Sequence, residues 1–416
     1  MNFLKNISII GLFLLTFASV QSSYAADDVK IGLVYPLSGT SASVGKATVD
    51  ACEIAAKIIN EPTPGFEDLP LGAGKGLPGL GGAKLKLIPV DTQGNPGEGQ
   101  AQTLRLITQE KVSSLLGAYH SAVAITTTTV AERYGVPFVI GDSVAANITE
   151  RGFKWTFRVT PIASDFAQSY IQFLDELKKN GRTVNNIAIV FENTDYGVSV
   201  SGTVRNIAKQ FGLNIVADLA YNANSADVSA QVLQLKDKKP DAVIFISYTA
   251  DAILYAKTMK SLDYMPPVLI GDDAGFSDFA FINSVGNIAQ GVVDRSAWVV
   301  GPKGSLSYKI NELFKAKTGR DMDDTSARGM QAFFVLADAI NRAGSTKPEA
   351  IQAALKSTNL KPEQLFMGYK GVKFDEKGQN ILASTYLTQL IGNQYYTVYP
   401  TKGAEKTLVY PYKGWK

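Results

Sequence analysis

Two spacings of apolar residues take turns along this chain from Val29 onward. Short apolar runs at Val29 to Val34, Leu85 to Val90, Val112 to Leu116 and Phe138 to Gly141 read as strands. Between them, apolar residues three and four apart mark helices over Gly45 to Asn60, Gly97 to Gln109 and Ala122 to Arg133. Strands joined by helices imply a parallel, doubly wound sheet. The extended stretch Phe153 to Thr160, closed by Pro161, forms a seam, and the alternation then restarts. Helices are expected at Ser164 to Lys179, Val198 to Phe211, Asp227 to Lys236 and Ala250 to Leu262, with strands at Ile187 to Phe191, Ile215 to Leu219, Ala242 to Ile246 and Val268 to Ile270.

Past Gly291 the pattern loosens. A strand at Gly291 to Trp298 precedes helices at Ser307 to Thr318, Ser326 to Ala343 and Pro348 to Lys356; the remainder, Val372 to Phe374 and Thr385 to Tyr399, is β-rich. Such a tail fits strands added to the edges of existing sheets, which requires the chain to pass between lobes more than once. Glu61 to Ala83 breaks the pattern with glycine and proline and reads as a surface insertion.

The N-terminus changes the picture of where the protein works. Lys5, the apolar run Ile7 to Val20 and Ser23-Tyr24-Ala25 spell a secretory signal over residues 1–25, with cleavage expected after Ala25 and a soluble mature chain in the periplasm. The run is too short to span a membrane, and no cysteine follows it for lipid attachment. What remains, roughly 390 residues, is too long for one core and suits two lobes. The fold class expected is α/β, with two Rossmann-like lobes on parallel sheets. The net charge of +3 has no Lys/Arg block, so nucleic acid is not an expected partner. Cys52 sits on a helical apolar pattern as a small hydrophobe, and with one cysteine and one histidine no metal and no cofactor is expected.

Two glycine-rich stretches imitate nucleotide motifs. Gly74 to Gly79 matches G-x-G-x-x-G, yet no strand precedes it and Pro78 removes an amide; Gly39 to Ala47 has five residues between its glycines and an alanine in place of the metal-binding hydroxyl. Neither supports phosphate binding. A serine hydrolase built on Ser121 and His120 lacks the G-x-S-x-G elbow, and neighbouring side chains on an extended turn point apart.

Ligands of parallel sheets bind where strands end. The loops expected there are Pro36 to Ala42 with Ser38, Gly117 to Ser121 with Tyr119 and His120, Asp142 to Ala145 with Ser143 and Val144, Glu192 to Gly197 with Tyr196, Ser247 to Asp251 with Tyr248, and Gly271 to Gly275 with Asp273. The turn LLGAYHSAVA aims free amides of a new helix and the Ser121 hydroxyl at one point, which suits a carboxylate; Ser121 would serve equally as a structural cap. Tyrosines and an acid from the second lobe suit an apolar body and a cation. Two lobes presenting complementary chemistry describe a clamp that closes on a small polar solute.

At these residues the chain resembles the periplasmic solute-binding proteins of the leucine/isoleucine/valine type, which serve ATP-driven importers. The resemblance runs from about Val29 to Tyr399 on KIGLVYPLSG, SVG, DTQGNP, LITQEKVSSLLGAYHS, VAERYGVPFV, ITERGFKWTFRVTP, AIVFENTDYG, VSAQVLQLKDKKPDAVIF and GDDAG, in that order. It implies a type I periplasmic binding protein with three crossover segments, which places 26–157 with 297–384 in one lobe and 158–296 with 385–416 in the other. It also implies a non-catalytic, monomeric receptor whose partners are a small solute, most readily an amino acid or derivative, and an inner-membrane ABC permease. By that resemblance Ser121 holds the ligand carboxylate, with Asp142, Ser143 and Val144 in the adjoining loop, Tyr196 and Tyr248 flank the ligand, and Asp273 pairs with its ammonium. Two departures stand out: Val44 replaces an aromatic, and Asp142 adds negative charge where a carboxylate should lie, which keeps amides, cationic solutes and aromatic acids open. A receptor that reports occupancy to a signalling partner is the alternative role.

Overall fold

The computed structural model describes residues 28–272 and 274–414; the expected signal sequence and Asp273 lie outside these residues. The strands of the first half are β1 (Val29–Tyr35), β2 (Leu85–Asp91), β3 (Ser114–Gly117), β4 (Phe138–Ile140) and β5 (Thr156–Arg158). They form one parallel sheet in the order β2-β1-β3-β4-β5. The second sheet takes β6 (Asn186–Glu192), β7 (Asn214–Tyr221), β8 (Ala242–Ile246), β9 (Val268–Asp272) and β10 (Val293–Ser296). A small hairpin, β11 (Asn359–Leu360) and β12 (Val372–Lys373), precedes β13 (Tyr386–Ile391) and β14 (Gln394–Tyr399), and these last two extend the second sheet, in the order β14-β13-β10-β9-β8-β6-β7. The tail thus adds antiparallel strands to one sheet edge, as its alternation suggested.

The helices are α1 (Ala42–Asn60), α2 (Pro96–Arg105), α3 (Ser121–Tyr134), α4 (Ala163–Lys179), α5 (Asp195–Gln210), α6 (Ser229–Lys238), α7 (Thr249–Ser261), α8 (Ala274–Ser277), α9 (Phe279–Val285), α10 (Leu306–Thr318), α11 (Asp324–Ala343) and α12 (Pro348–Lys356). They cover both faces of each sheet. Along β6, Ile187, Ile189 and Phe191 enter one core while Ala188 and Val190 enter another, the period of two that a doubly covered strand must show. Among the described residues no helix is long and apolar enough to cross a membrane.

The chain passes between the sheets three times, at 159–162, 297–305 and 374–385. The first and third passages pair: Arg158 N donates to Gly378 O at 2.7 Å and Asn380 N to Arg158 O at 2.9 Å. The third also holds the start of the second, Thr385 Oγ1 donating to Ser296 O at 3.0 Å.

Three expectations are corrected. The seam at Phe153 to Thr160 holds a strand of its own, since β5 pairs with β4. The helix expected to Gln109 gives way at Leu106 to a wider π turn ending at Lys111, whose φ is +57°. Glu61 to Ala83 is not a bare surface loop: Phe66, Leu69 and Leu77 are buried, and its amides turn inward, Gly76 N to Ile59 O at 2.8 Å and Gly79 N to Asn341 Oδ1 at 2.8 Å. Those bonds also leave the G-x-G-x-x-G stretch no cradle for phosphate.

Candidate functional site

The turn between β3 and α3 owes its shape to Gly117, whose φ is +147° and whose missing Cβ would lie 2.4 Å from Val34 O. His120 takes the N-cap position and Ser121 is the first helical residue. Ser121 is therefore not the cap; its hydroxyl accepts from Ala145 N at 3.3 Å, tying the α3 start to the loop after β4. Ser143 completes the tie by donating to Ala118 O at 2.5 Å and Tyr119 O at 3.1 Å. Val144 is buried in the core beside them. Arg158, wholly buried, holds the same loop from below through Ala145 O at 2.6 Å and Thr149 Oγ1 at 2.8 Å, and reaches Gln379 Oε1 at 2.6 Å. Burial lowers its pKa to about 9.

Rings from both lobes meet above this turn. Tyr119 and His120 of the first lobe stand 4.9 Å apart between centroids; Tyr248, at the start of α7, lies 5.4 Å from Tyr119 and 4.8 Å from His120, and Tyr196, in the first turn of α5, lies 5.0 Å from Tyr248. The tilted and edge-on contacts are those aromatic quadrupoles favour. Ser41 Oγ sits 3.1 Å from His120 Nε2, so the imidazole's partner is Ser41 rather than Ser121. Ser38 is not drawn in: it is exposed, and its hydroxyl donates to Asp91 Oδ2 at 2.6 Å.

Beneath the rings runs a buried chain of charge. Asp272, at the end of β9, accepts from Arg295 Nε at 2.7 Å and from the hydroxyls of Tyr170 at 2.5 Å and Tyr196 at 3.1 Å. Arg295 continues to Asp324 Oδ2 at 3.3 Å, and Arg328 reaches the same oxygen at 2.9 Å. Arg328 also donates to Asp142 O at 2.9 Å and Thr160 Oγ1 at 3.1 Å, and Tyr35 donates to Asp142 Oδ2 at 2.9 Å. Burial, then the charge of Asp272 for Tyr170 and of Asp142 for Tyr35, pushes both phenols well up, so both remain donors. Asp142 is thus a fixed part of the lobe junction, with Gly329 giving it room: a Cβ there would meet Thr48 Cγ2 at 2.3 Å and Tyr35 Oη at 3.3 Å.

Of the residues singled out from sequence, Tyr119, His120, Tyr196 and Tyr248 meet, and Ser121, Ser143 and Asp142 sit in the two loops beside them; Asp273 lies outside the described residues. Sequence reasoning gave no site role to Ser41, Tyr170, Asp272, Arg295, Asp324 and Arg328. An arginine set among apolar residues, as in VVDRSAW, was the available signal for Arg295. Among the described residues no group of three or more His, Cys, Asp or Glu side chains could hold a metal.

Comparison with known proteins agrees with this architecture. A family model described as periplasmic binding protein matches residues 28–394. The Leu/Ile/Val-binding protein homolog 7 of Brucella abortus is 30% identical over 405 residues, 94% of this chain and 97% of that protein. The branched-chain amino acid transporter substrate-binding protein LivJ from Streptococcus pneumoniae, solved with isoleucine, superposes with a TM-score of 0.76 at 20% identity, over 92% of this chain and 100% of that one. A solute-binding protein of an ABC transporter from R. palustris, solved with benzoate, gives 0.74 at 20% identity, over 89% and 95%. The chain belongs to the periplasmic binding protein family, as a non-catalytic solute receptor of the leucine/isoleucine/valine-binding type.

Proposed function

We propose that this receptor encloses an amino acid or close derivative between lobes 26–157 plus 297–384 and 158–296 plus 385–416, and passes it to an inner-membrane ABC permease. The observation that carries the reading is the meeting of Tyr119 and His120 from one lobe with Tyr196 and Tyr248 from the other in a single cluster of rings. Ser121 and the amides of its turn face the ligand carboxylate, the rings cover its apolar body, and Asp273 takes its ammonium. The isoleucine and benzoate of the two solved relatives share a carboxylate on an apolar body, which supports the first two roles. The mature protein begins at Ala26 and acts in the periplasm as a monomer, for which intact mass and light scattering of the secreted chain are the checks.

Calorimetric titration with a panel of amino acids, amides and aromatic acids tests the ligand. Asp273→Ala should weaken an amino acid at least tenfold and leave an amine-free carboxylate untouched. An unchanged amino-acid affinity would remove the amino-acid reading, and loss of both ligands together would point to damage of the closed form.

A further inference from the structure

On the other face of β10 from Arg295 lies a cavity of about 370 Å³ that shares no residue with the ring cluster. The alternation of the strand produces it. Arg295 points to α4, where its guanidinium stacks over Phe166 at 3.9 Å, so Asp294 and Ser296 must point the opposite way and line the cavity. Its volume falls in the range of small-molecule sites, about 300 to 1,000 Å³. Phe279 and Ile282 of α9, Trp298 of the second passage and Tyr395 of β14 form apolar and aromatic walls. Trp298 is fixed by its Nε1 bond to Met322 O at 2.9 Å and Tyr395 by its hydroxyl bond to Phe276 O at 2.7 Å, so the walls are set before any ligand arrives.

The sign of the field follows from the lining. Asp294, Asp321, Asp323 and Asp324 line the cavity, and no lysine or arginine does among the described residues. The cations that answer these acids stand outside the wall: Arg295 and Arg328 on Asp324, Arg320 on Asp323 and Lys315 on Asp321. Asp294, only 1% exposed, is the least exposed of the four, and after burial its charge is the next cause holding the Tyr395 phenol up. An anion entering here meets carboxylates first. We propose that this cavity is a second binding site, taking a small organic ammonium with an apolar or aromatic body, held by Asp294 and the rings of Phe279, Trp298 and Tyr395. Its walls come from the second sheet, from the 297–305 passage and from the approach to α11, so an occupant bridges the lobes at the hinge.

The test uses the full mature protein and 2-phenylethylamine, with 2-phenylethanol and phenylacetate as neutral and anionic counterparts, read by calorimetry and thermal shift. The amine should bind at least tenfold more tightly than either counterpart. Asp294→Asn, and Ile282→Trp from a half-buried wall position, should each weaken it at least tenfold, while Tyr248→Ala leaves it unchanged. Equal binding of the alcohol, or an amine affinity indifferent to both wall variants, overturns the proposal. Loss of the amine in Tyr248→Ala also overturns it by placing the amine among the cleft rings. Should Asp294→Asn fail to fold, Ile282→Trp decides alone. Amine binding without any amino-acid binding would defeat the cleft reading and leave this one standing.

Discussion

Arg295 shows what single residues carry in this protein. It is 1% exposed, answers two buried carboxylates and covers the Phe166 ring. Arg295→Ala strands Asp272 and Asp324 without that cation and should cost about 3–5 kcal/mol in urea unfolding, whereas exposed pairs such as Lys315 with Asp321 should cost under about 1 kcal/mol. Asp251 carries a pH signature. Burial pushes its carboxyl up to about 6, above the ordinary value near 4, so its neutral form favours the fold. That contribution is complete below about pH 4 and is lost as pH rises through 6. Asp251→Asn keeps an acceptor for Asn224 N without the charge, and its melting temperature should gain on the wild type between pH 4 and 7. These residues were the least legible in the sequence. A buried ion pair has no periodicity to betray it, and in GDDAG the reading singled out Asp273 while its neighbour Asp272 is the acid that Arg295 and two tyrosines hold.

At the scale of elements, the apolar spacing located most strands and long helices to within three residues, because burial on two faces leaves few placements for the periods of two and 3.6. It failed where local chemistry outweighed periodicity. The short helices α8 and α9 follow a glycine-rich loop and have too few residues for a helical stripe, and the insertion at Glu61 to Ala83 packs through scattered residues rather than a face. Two glycines on helices give opposite predictions. A Cβ added at Gly202 in α5 would meet nothing within 4 Å, so Gly202→Ala should stabilise by up to about 1 kcal/mol through helix propensity. At Gly329 in α11 the added Cβ would run into Thr48 of α1, and Gly329→Ala should destabilise by about 1–3 kcal/mol. Chemical denaturation of the pair measures both signs.

At the scale of the whole molecule, side-chain contacts that do not include the rings themselves also tie the lobes together. Ser43 of α1 donates to Asp278 Oδ1 at 3.1 Å, Thr249 of α7 donates to Oδ2 at 2.9 Å, and Arg320 lies 3.9 Å from the same carboxylate. Burial, then the charge of Asp323, pushes the Asp278 carboxyl up. Asp278→Ala removes a tie between lobes without touching the rings, so the open form should gain population and the apparent Kd of the solute should rise several-fold. Solution scattering should show the free variant expanded relative to wild type, and unchanged scattering with unchanged Kd would deny Asp278 this role.

The three passages between the sheets bear on how the polypeptide is made. α11, nearly all of whose residues are buried, packs against α1 and the first sheet but follows α1 along the chain by more than 260 positions and β4 by more than 180, and the β5 edge waits on Gly378 to Asn380. A nascent chain stopped at 157 would therefore expose the faces of α1, β3 and β4 that α11 covers. Expression of 28–157 alone should give an aggregating, unfolded fragment, and export must deliver almost the entire translation product before either half can settle.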